Sequence, residues 1–275
     1  HEAAGIVEDV GESVSHVKPG DHVIISQTPS CGLCPACIRE KPYLCVGMNP
    51  SPGGGRLTRD GEELNRYMSI GGFAERAVVR QGQAIPIDAS APLDAACLIG
   101  CGVMTGYGAA VRTGGVAPGM TVAVFGCGGV GLSAVIGARL AGAAKIIAVD
   151  TVPVKLEIAE RVGATHCLTA KDAVSAIQKL MHGGVDVAIE AVGTTDAMLN
   201  AMKATLPGGT TVVVGVPSFA DKLQFSPFHL LLDRTLRGSL VGSEHPPHDF
   251  PYLVDLYLQG RLPLDDLITG RFPLD

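Results

Sequence analysis

The chain has 275 residues, room for two ordinary domains or one large one. Its formal net charge of −6 argues against a broad basic surface for nucleic acid or anionic lipid. No apolar stretch is long enough to cross a bilayer and no signal peptide opens the chain, although position 1 is His rather than Met, so the start reads as processed or truncated.

Residues 1–102 read as short strands separated by turns, the texture of a β-rich domain. Val7–Val10, His22–Ile25 and Phe73–Val79 are the predicted strands. Gly11, Lys18-Pro19-Gly20-Asp21 and Gly53-Gly54-Gly55 punctuate them. The stretch Pro50–Tyr67 reads as a solvated surface loop. From 103 to 241 the pattern changes to alternating strands and helices, which predicts an α/β fold built on a parallel sheet. Its predicted strands are Val122–Phe125, Lys145–Asp150, His166–Leu168, Val185–Glu190, Thr211–Val214 and Leu236–Val241. Helices are expected at Leu132–Ala141, Val154–Val162, Ala173–Met181 and Thr195–Ala204. Residues 242–275 open on a Pro-rich turn, His245-Pro246-Pro247-His248, followed by one helix near Pro251–Gln259.

Between the first two strands of this second region lies Gly126-Cys127-Gly128-Gly129-Val130-Gly131. Gly126 allows a tight turn after the strand, Gly128 lets backbone approach a pyrophosphate, and Gly131 lets the helix pack closely on the sheet. Phosphates would sit at the helix N-terminus, where free N–H groups and the helix dipole favour negative charge. The next strand ends at Asp150, nineteen residues past Gly131. A carboxylate there can bind ribose hydroxyls and repels a 2′-phosphate, which favours NAD over NADP. The alternative is a structural glycine turn with Asp150 as a helix cap. Lys155 is either a further ribose contact or a solvated helix lysine.

Eight cysteines are present: Cys31, Cys34, Cys37, Cys45, Cys97, Cys101, Cys127 and Cys167. The first four fall within fifteen residues. Four thiolates in a short loop can close a tetrahedral zinc site, and four protein ligands leave no open position, so the site is structural. Free or disulfide-paired cysteines are the alternative. Without a secretory context, metal binding and a reducing, cytoplasmic compartment are expected. Read alone, His1 is a terminal residue and Cys101 a small buried hydrophobe.

The strings HEAAGIVEDVG, the four-cysteine lobe, CLIGCGVMTGYG and GCGGVG occur in this order along nearly the whole chain. Together they resemble the zinc-dependent alcohol dehydrogenases of the medium-chain dehydrogenase superfamily. That resemblance implies a doubly wound Rossmann domain and a GroES-like catalytic domain, here incomplete. It implies hydride transfer between an alcohol and NAD, with an aldehyde or ketone reduced in reverse. His1 and Cys101 are thereby implied as ligands of a second, catalytic zinc, with Glu2 as the carboxylate beside it; Cys97 is not a ligand in the pattern. Thr105 is implied near the nicotinamide, and Val192, Val214 and Val216 along the coenzyme.

A further cysteine ligand and a hydroxyl of the proton relay would precede His1, and a helix and strand would follow Asp275. The resemblance therefore predicts an internal fragment of a longer enzyme, a homodimer or homotetramer. Polyol, threonine and thiol-adduct formaldehyde dehydrogenases share these features, and a non-catalytic NAD- and zinc-binding protein is the reading from another class. Gln27, four residues before Cys31, hints at a polar substrate pocket.

Overall fold

The computed structural model describes residues 1–46 and 57–274. The chain divides into two compact units: His1–Cys101 with Glu244–Asp275, and Gly102–Ser243.

In the first unit, β1 (Ala3–Ile6), β2 (His22–Ile25) and β5 (Ala84–Pro86) form an antiparallel sheet in the order β1-β2-β5. Pro86 lacks an N–H to donate and lies on an edge strand, where that omission is tolerated. Val23 and Ile25 point from β2 into a core shared with Val17, Ile70 and Ala84. A separate hairpin joins β3 (Thr58–Arg59) to β4 (Glu62–Glu63). Helix α1 (Pro35–Ile38) lies in the cysteine-rich loop, and α2 (Leu93–Ala96) leads into a 3-10 turn, Cys97–Gly100. Residues 50–56 of the expected surface loop, including Gly53-Gly54-Gly55, lie outside the described residues.

Two predicted strands do not form. Val7–Val10 runs as an irregular turn whose Val7 and Val10 still pack on the core. Phe73–Val79 is also irregular, with Val79 on the core but Phe73 and Val78 exposed. Apolar spacing recruits such segments to a core, but a strand also needs a continuous hydrogen-bonded ladder; at Val7 the pairing stops after the Val7 amide donates to the Asp21 carbonyl and the Gly20 amide to the Val7 carbonyl.

The second unit begins with α3 (Gly102–Gly108), which continues into a π-helical turn at Ala109–Thr113. Strands β6 (Thr121–Phe125), β7 (Lys145–Asp150), β8 (His166–Thr169), β9 (Val185–Glu190), β10 (Thr205–Val213) and β11 (Thr235–Gly238) build one parallel sheet, ordered β11-β10-β9-β6-β7-β8. The near-continuous apolar runs of β6 and β7 are what strands covered on both faces require. Between them pass α4 (Gly129–Leu140), α5 (Pro153–Val162), α6 (Ala173–Leu180), α7 (Thr195–Ala204) and the one-turn α8 (Phe228–Leu231). Successive strands step outward from β6 in one direction and from β9 in the other. This is the Rossmann order, and its topological switch point, where such sheets take ligands, lies between β6 and β9.

Strand β10 starts six residues before the predicted Thr211, because a register shift between Thr205 and Thr210 absorbs Pro207-Gly208-Gly209. Strand β11 stops at Gly238 rather than Val241, which instead enters a 3-10 turn with positive φ. In the first unit, α9 (Pro246–Leu258) starts at Pro246 rather than near Pro251, with Pro246 and Pro247 in the first turn, where a missing N–H goes unmissed. Among the described residues no single helix is long and apolar enough to cross a membrane.

Candidate zinc and dinucleotide sites

Helix α1 explains the cysteine spacing. Cys34 is its extended N-cap and Pro35 its first helical residue, so one turn brings Cys37 back beside Cys34. The sulfurs of Cys34 and Cys37 are 3.5 Å apart, those of Cys34 and Cys45 3.8 Å, and those of Cys45 and Cys31 3.5 Å. A zinc tetrahedron with Zn–S of about 2.3 Å has edges of about 3.8 Å, so the four sulfurs fit that ion. The amide of Cys31 donates to the Cys45 sulfur and that of Cys34 to the Cys31 sulfur, both at 3.3 Å. Such amides favour thiolate. Those of Cys37 and Val46 draw the Cys34 thiol down to about 5, and those of Leu33 and Cys34 lower Cys31. Cys37 moves the other way, to about 11, through burial first and then the neighbouring sulfurs. A divalent cation relieves that crowding of like charge.

The glycine-rich turn follows β6. Gly126 has φ +91°, and a Cβ built on it would lie 2.7 Å from Val192 Cγ2. A Cβ at Gly131 would overlap the carbonyl oxygen of Gly126, so the first turn of α4 lies directly on the strand exit. Gly128 is the reverse: nothing lies within 4 Å of its Cβ position, and as N-cap of α4 it supplies no side-chain cap. Gly129 is exposed and Val130 half-buried beside it. The turn thus offers open space at an uncapped helix N-terminus, the donor set for a phosphate.

Asp150 ends β7 nearly buried. Its Oδ2 accepts the Cys127 amide at 2.7 Å and its Oδ1 the Val152 amide at 2.9 Å. The N-cap of α5 is Val152, so Asp150 fixes the turn before that helix rather than capping it. A carboxylate has about four acceptor sites, which leaves capacity for hydroxyls. The Cys127 thiol is pushed up to about 12 by burial, then by Asp150, while the charge of Lys155, in the first turn of α5, acts against the rise.

Across the switch point, Val192 is more than half exposed, Val214 half-buried, and Val216 exposed. The link missing from sequence reasoning is Glu190. Phe125, the residue before Gly126, pairs with it in register. Its side chain is wholly buried, and burial raises its carboxyl above the usual range, opposed by the amides around it. Its signal is an acid closing the apolar run Val187-Ala188-Ile189.

Also unread in the sequence were the glycines of CGVMTGYG. A Cβ at Gly106 would overlap the Val130 carbonyl, so α3 lies directly on α4, and one at Gly108 would overlap the Gly242 carbonyl in the 3-10 turn Val241–Ser243. Thr105 sits buried in that helix.

In the first unit, Cys101 follows the 3-10 turn half-buried. A Cβ at Gly100 would come within 3.2 Å of the Ile25 carbonyl, so the turn rests on β2. The His1 ring meets Tyr67 edge-on, with centroids 5.1 Å apart. Glu2 is exposed, and its charge acts on Cys97, whose thiol rises chiefly through burial. Among the described residues, the four lobe cysteines are the one set of three or more ligand groups that converges. His1, Glu2 and Cys101 do not converge to that degree.

Residues 1–89 match the alcohol dehydrogenase GroES-like domain and residues 129–259 the zinc-binding dehydrogenase family. The alcohol dehydrogenase zinc-binding domain protein from Burkholderia ambifaria is 38% identical, with a TM-score of 0.92 over 100% of this chain and 77% of that one. Benzyl alcohol dehydrogenase from Acinetobacter calcoaceticus is 34% identical, TM-score 0.91, over 98% of this chain and 76% of that one. A zinc-binding dehydrogenase from Sinorhizobium meliloti, solved with NADP, is 30% identical, TM-score 0.80, over 100% and 76%.

Proposed function

The chain belongs to the zinc-dependent alcohol dehydrogenases of the medium-chain superfamily, and on that premise we propose that it transfers hydride between a small alcohol and NAD, with a structural and a catalytic zinc. The observation that carries the coenzyme half is the open, uncapped terminus at Gly128 beside the carboxylate of Asp150. The amides of Gly128, Gly129, Val130 and Gly131 would take the pyrophosphate. Asp150, helped by Lys155, would take the adenosine ribose, and its charge disfavours a 2′-phosphate. The NADP in the Sinorhizobium protein makes coenzyme choice the point to test. Val192, Val214 and Val216 would wall the coenzyme.

Cys31, Cys34, Cys37 and Cys45 would hold the structural zinc. His1 and Cys101 would hold the catalytic one; an imidazole and a thiolate from the same compact unit are the donor types zinc prefers. Bound there, zinc supplies Lewis acidity and the nicotinamide the hydride acceptor. The protein's own residues do the positioning. The His1 ring meets Tyr67 edge-on, and the turn that leads into Cys101 rests on β2 at Gly100. Glu2 would bring negative charge beside the metal, and Thr105 would sit against the nicotinamide.

We further read residues 1–102 as the catalytic domain, 103–241 as the coenzyme domain and 242–275 as the return of the chain. The enzyme would act in the cytoplasm as a homodimer or homotetramer, and the eight free cysteines favour a reducing compartment. Zinc content and alcohol oxidation by the whole protein test the proposal, over a broad alcohol panel with NAD and NADP. Cys101→Ser should abolish turnover while the lobe keeps its zinc. A zinc-loaded protein that binds neither coenzyme, or oxidises no alcohol, refutes it.

A further inference from the structure

Glu190 closes β9 at the switch point, and the coenzyme assignment above makes no use of it. Its Oε1 accepts the amides of Val192 at 2.7 Å and Gly193 at 2.6 Å. Its backbone carbonyl accepts those of Val214 at 2.9 Å and Gly215 at 3.0 Å. One residue therefore ties down the chain leaving both β9 and β10. The two exits also interlock: a Cβ at Gly193 would lie 2.6 Å from the Val216 carbonyl oxygen. Oε2 is buried without a hydrogen-bond partner and faces Gly215, whose added Cβ would come within 2.8 Å of it. Packing alone does not call for an acid here. A buried carboxylate with one idle oxygen is costly, and an apolar side chain of equal length would fill the space. What the acid adds is a single acceptor that holds two consecutive amides of a turn.

We propose that Glu190 is a positioning residue for the coenzyme: its carboxylate clamps the Val192–Gly193 turn as the wall of the crevice opposite Gly126. The inference rests on the coenzyme reading above. It adds a determinant of dinucleotide affinity that touches no part of the dinucleotide. The clamp acts on geometry already visible, since Val192 Cγ2 is what a Cβ at Gly126 would strike. Releasing the two amides frees that side chain to drift into or away from the glycine turn.

The test compares the whole protein with Glu190→Met, which keeps length but offers no comparable acceptor, and Glu190→Gln, which keeps the acceptor. Ile177→Val, in the core away from the crevice, serves as a stability control. NADH is titrated by its own fluorescence, and amide exchange is followed in the coenzyme-free protein. Slow exchange at Val192 and Gly193 is expected in the unsubstituted protein, because their acceptor is the buried carboxylate. Glu190→Met should speed that exchange and weaken NADH binding about tenfold, the scale of one lost charge-assisted hydrogen bond. Glu190→Gln should stay within about threefold of the parent, and Ile177→Val should lower the melting temperature without moving the Kd.

Fast exchange at Val192 and Gly193 in the parent overturns the clamp even if Glu190→Met does not fold. Parent-like NADH binding by Glu190→Met, or Glu190→Gln no better than Glu190→Met, overturns it as well. A parent that binds neither NADH nor NADPH defeats the coenzyme reading, and this inference with it. A parent that binds NADH but fails the comparisons loses the inference alone.

Discussion

Cys31 and Cys45, fourteen positions apart, bring their sulfurs to 3.5 Å with no disulfide between them. The Cys31 amide also donates to the Cys45 sulfur, so loop and sulfur cluster are one structure. Cys45→Ser should lose the lobe's zinc and lower the melting temperature by roughly 5 °C or more, a few kcal/mol at this size. Elemental analysis and thermal melts with and without chelator check this. A melt indifferent to both would mean that metal does not hold the lobe.

In the proposed assignment, coenzyme choice turns on Asp150. Asp150→Ser removes the charge and should cut kcat/KM with NAD about tenfold while raising that with NADP. Part of the loss would come from the Cys127 and Val152 amides, which give up their acceptor. Steady-state kinetics with both coenzymes decide it, and an unchanged NAD/NADP ratio would remove Asp150 from discrimination.

Two alanines in one motif should behave oppositely. Gly128→Ala meets nothing within 4 Å and should fold as stably as the parent, but its methyl group occupies the space assigned to phosphate and should weaken NADH binding. Gly131→Ala would drive a methyl group into the Gly126 carbonyl and should cost about 1–3 kcal/mol of stability. Melting temperature and NADH titration separate the pair; similar losses of stability in both would contradict it.

Glu190 carries a pH signature. Burial raises its folded-state carboxyl above the unfolded value of 4.5, so across that window the folded chain binds more protons than the unfolded one. Stability then falls as pH rises through the window, a loss complete above the raised value. Glu190→Gln cannot ionise, so its melting temperature should decline less than the parent's as pH rises above 4.5. Parallel curves would show that Glu190 titrates in the fold as it does unfolded.

The α/β half was readable because its central strands are mostly apolar: Lys145–Asp150 and Val185–Glu190 have the expected ends, as does the helix Thr195–Ala204. Spacing also carried the cysteine cluster, since one turn of helix brings Cys37 beside Cys34 and the short flanking loops return Cys31 and Cys45 to them. Val7–Val10 and Phe73–Val79 misled because local alternation says nothing about a partner strand. Glu190 stayed hidden for a related reason. Its role depends on amides two and three residues further on and on a turn twenty-five positions away at Gly215, which spacing along one strand does not encode.

The glycines leave a mark on the unfolded chain. Each one widens the denatured ensemble that folding must narrow, and where a backbone carbonyl already fills the Cβ position, as at Gly106, Gly108 and Gly131, that entropy cannot be recovered. Gly5 and Gly238 differ: both sit in strands, without positive φ, with nothing within 4 Å of the missing Cβ. A side chain there would stiffen the unfolded ensemble and leave the folded contacts alone, worth about 0.4–1 kcal/mol per site. Thermal hardening of this chain therefore has room at these two strand glycines and none at Gly106, Gly108 and Gly131.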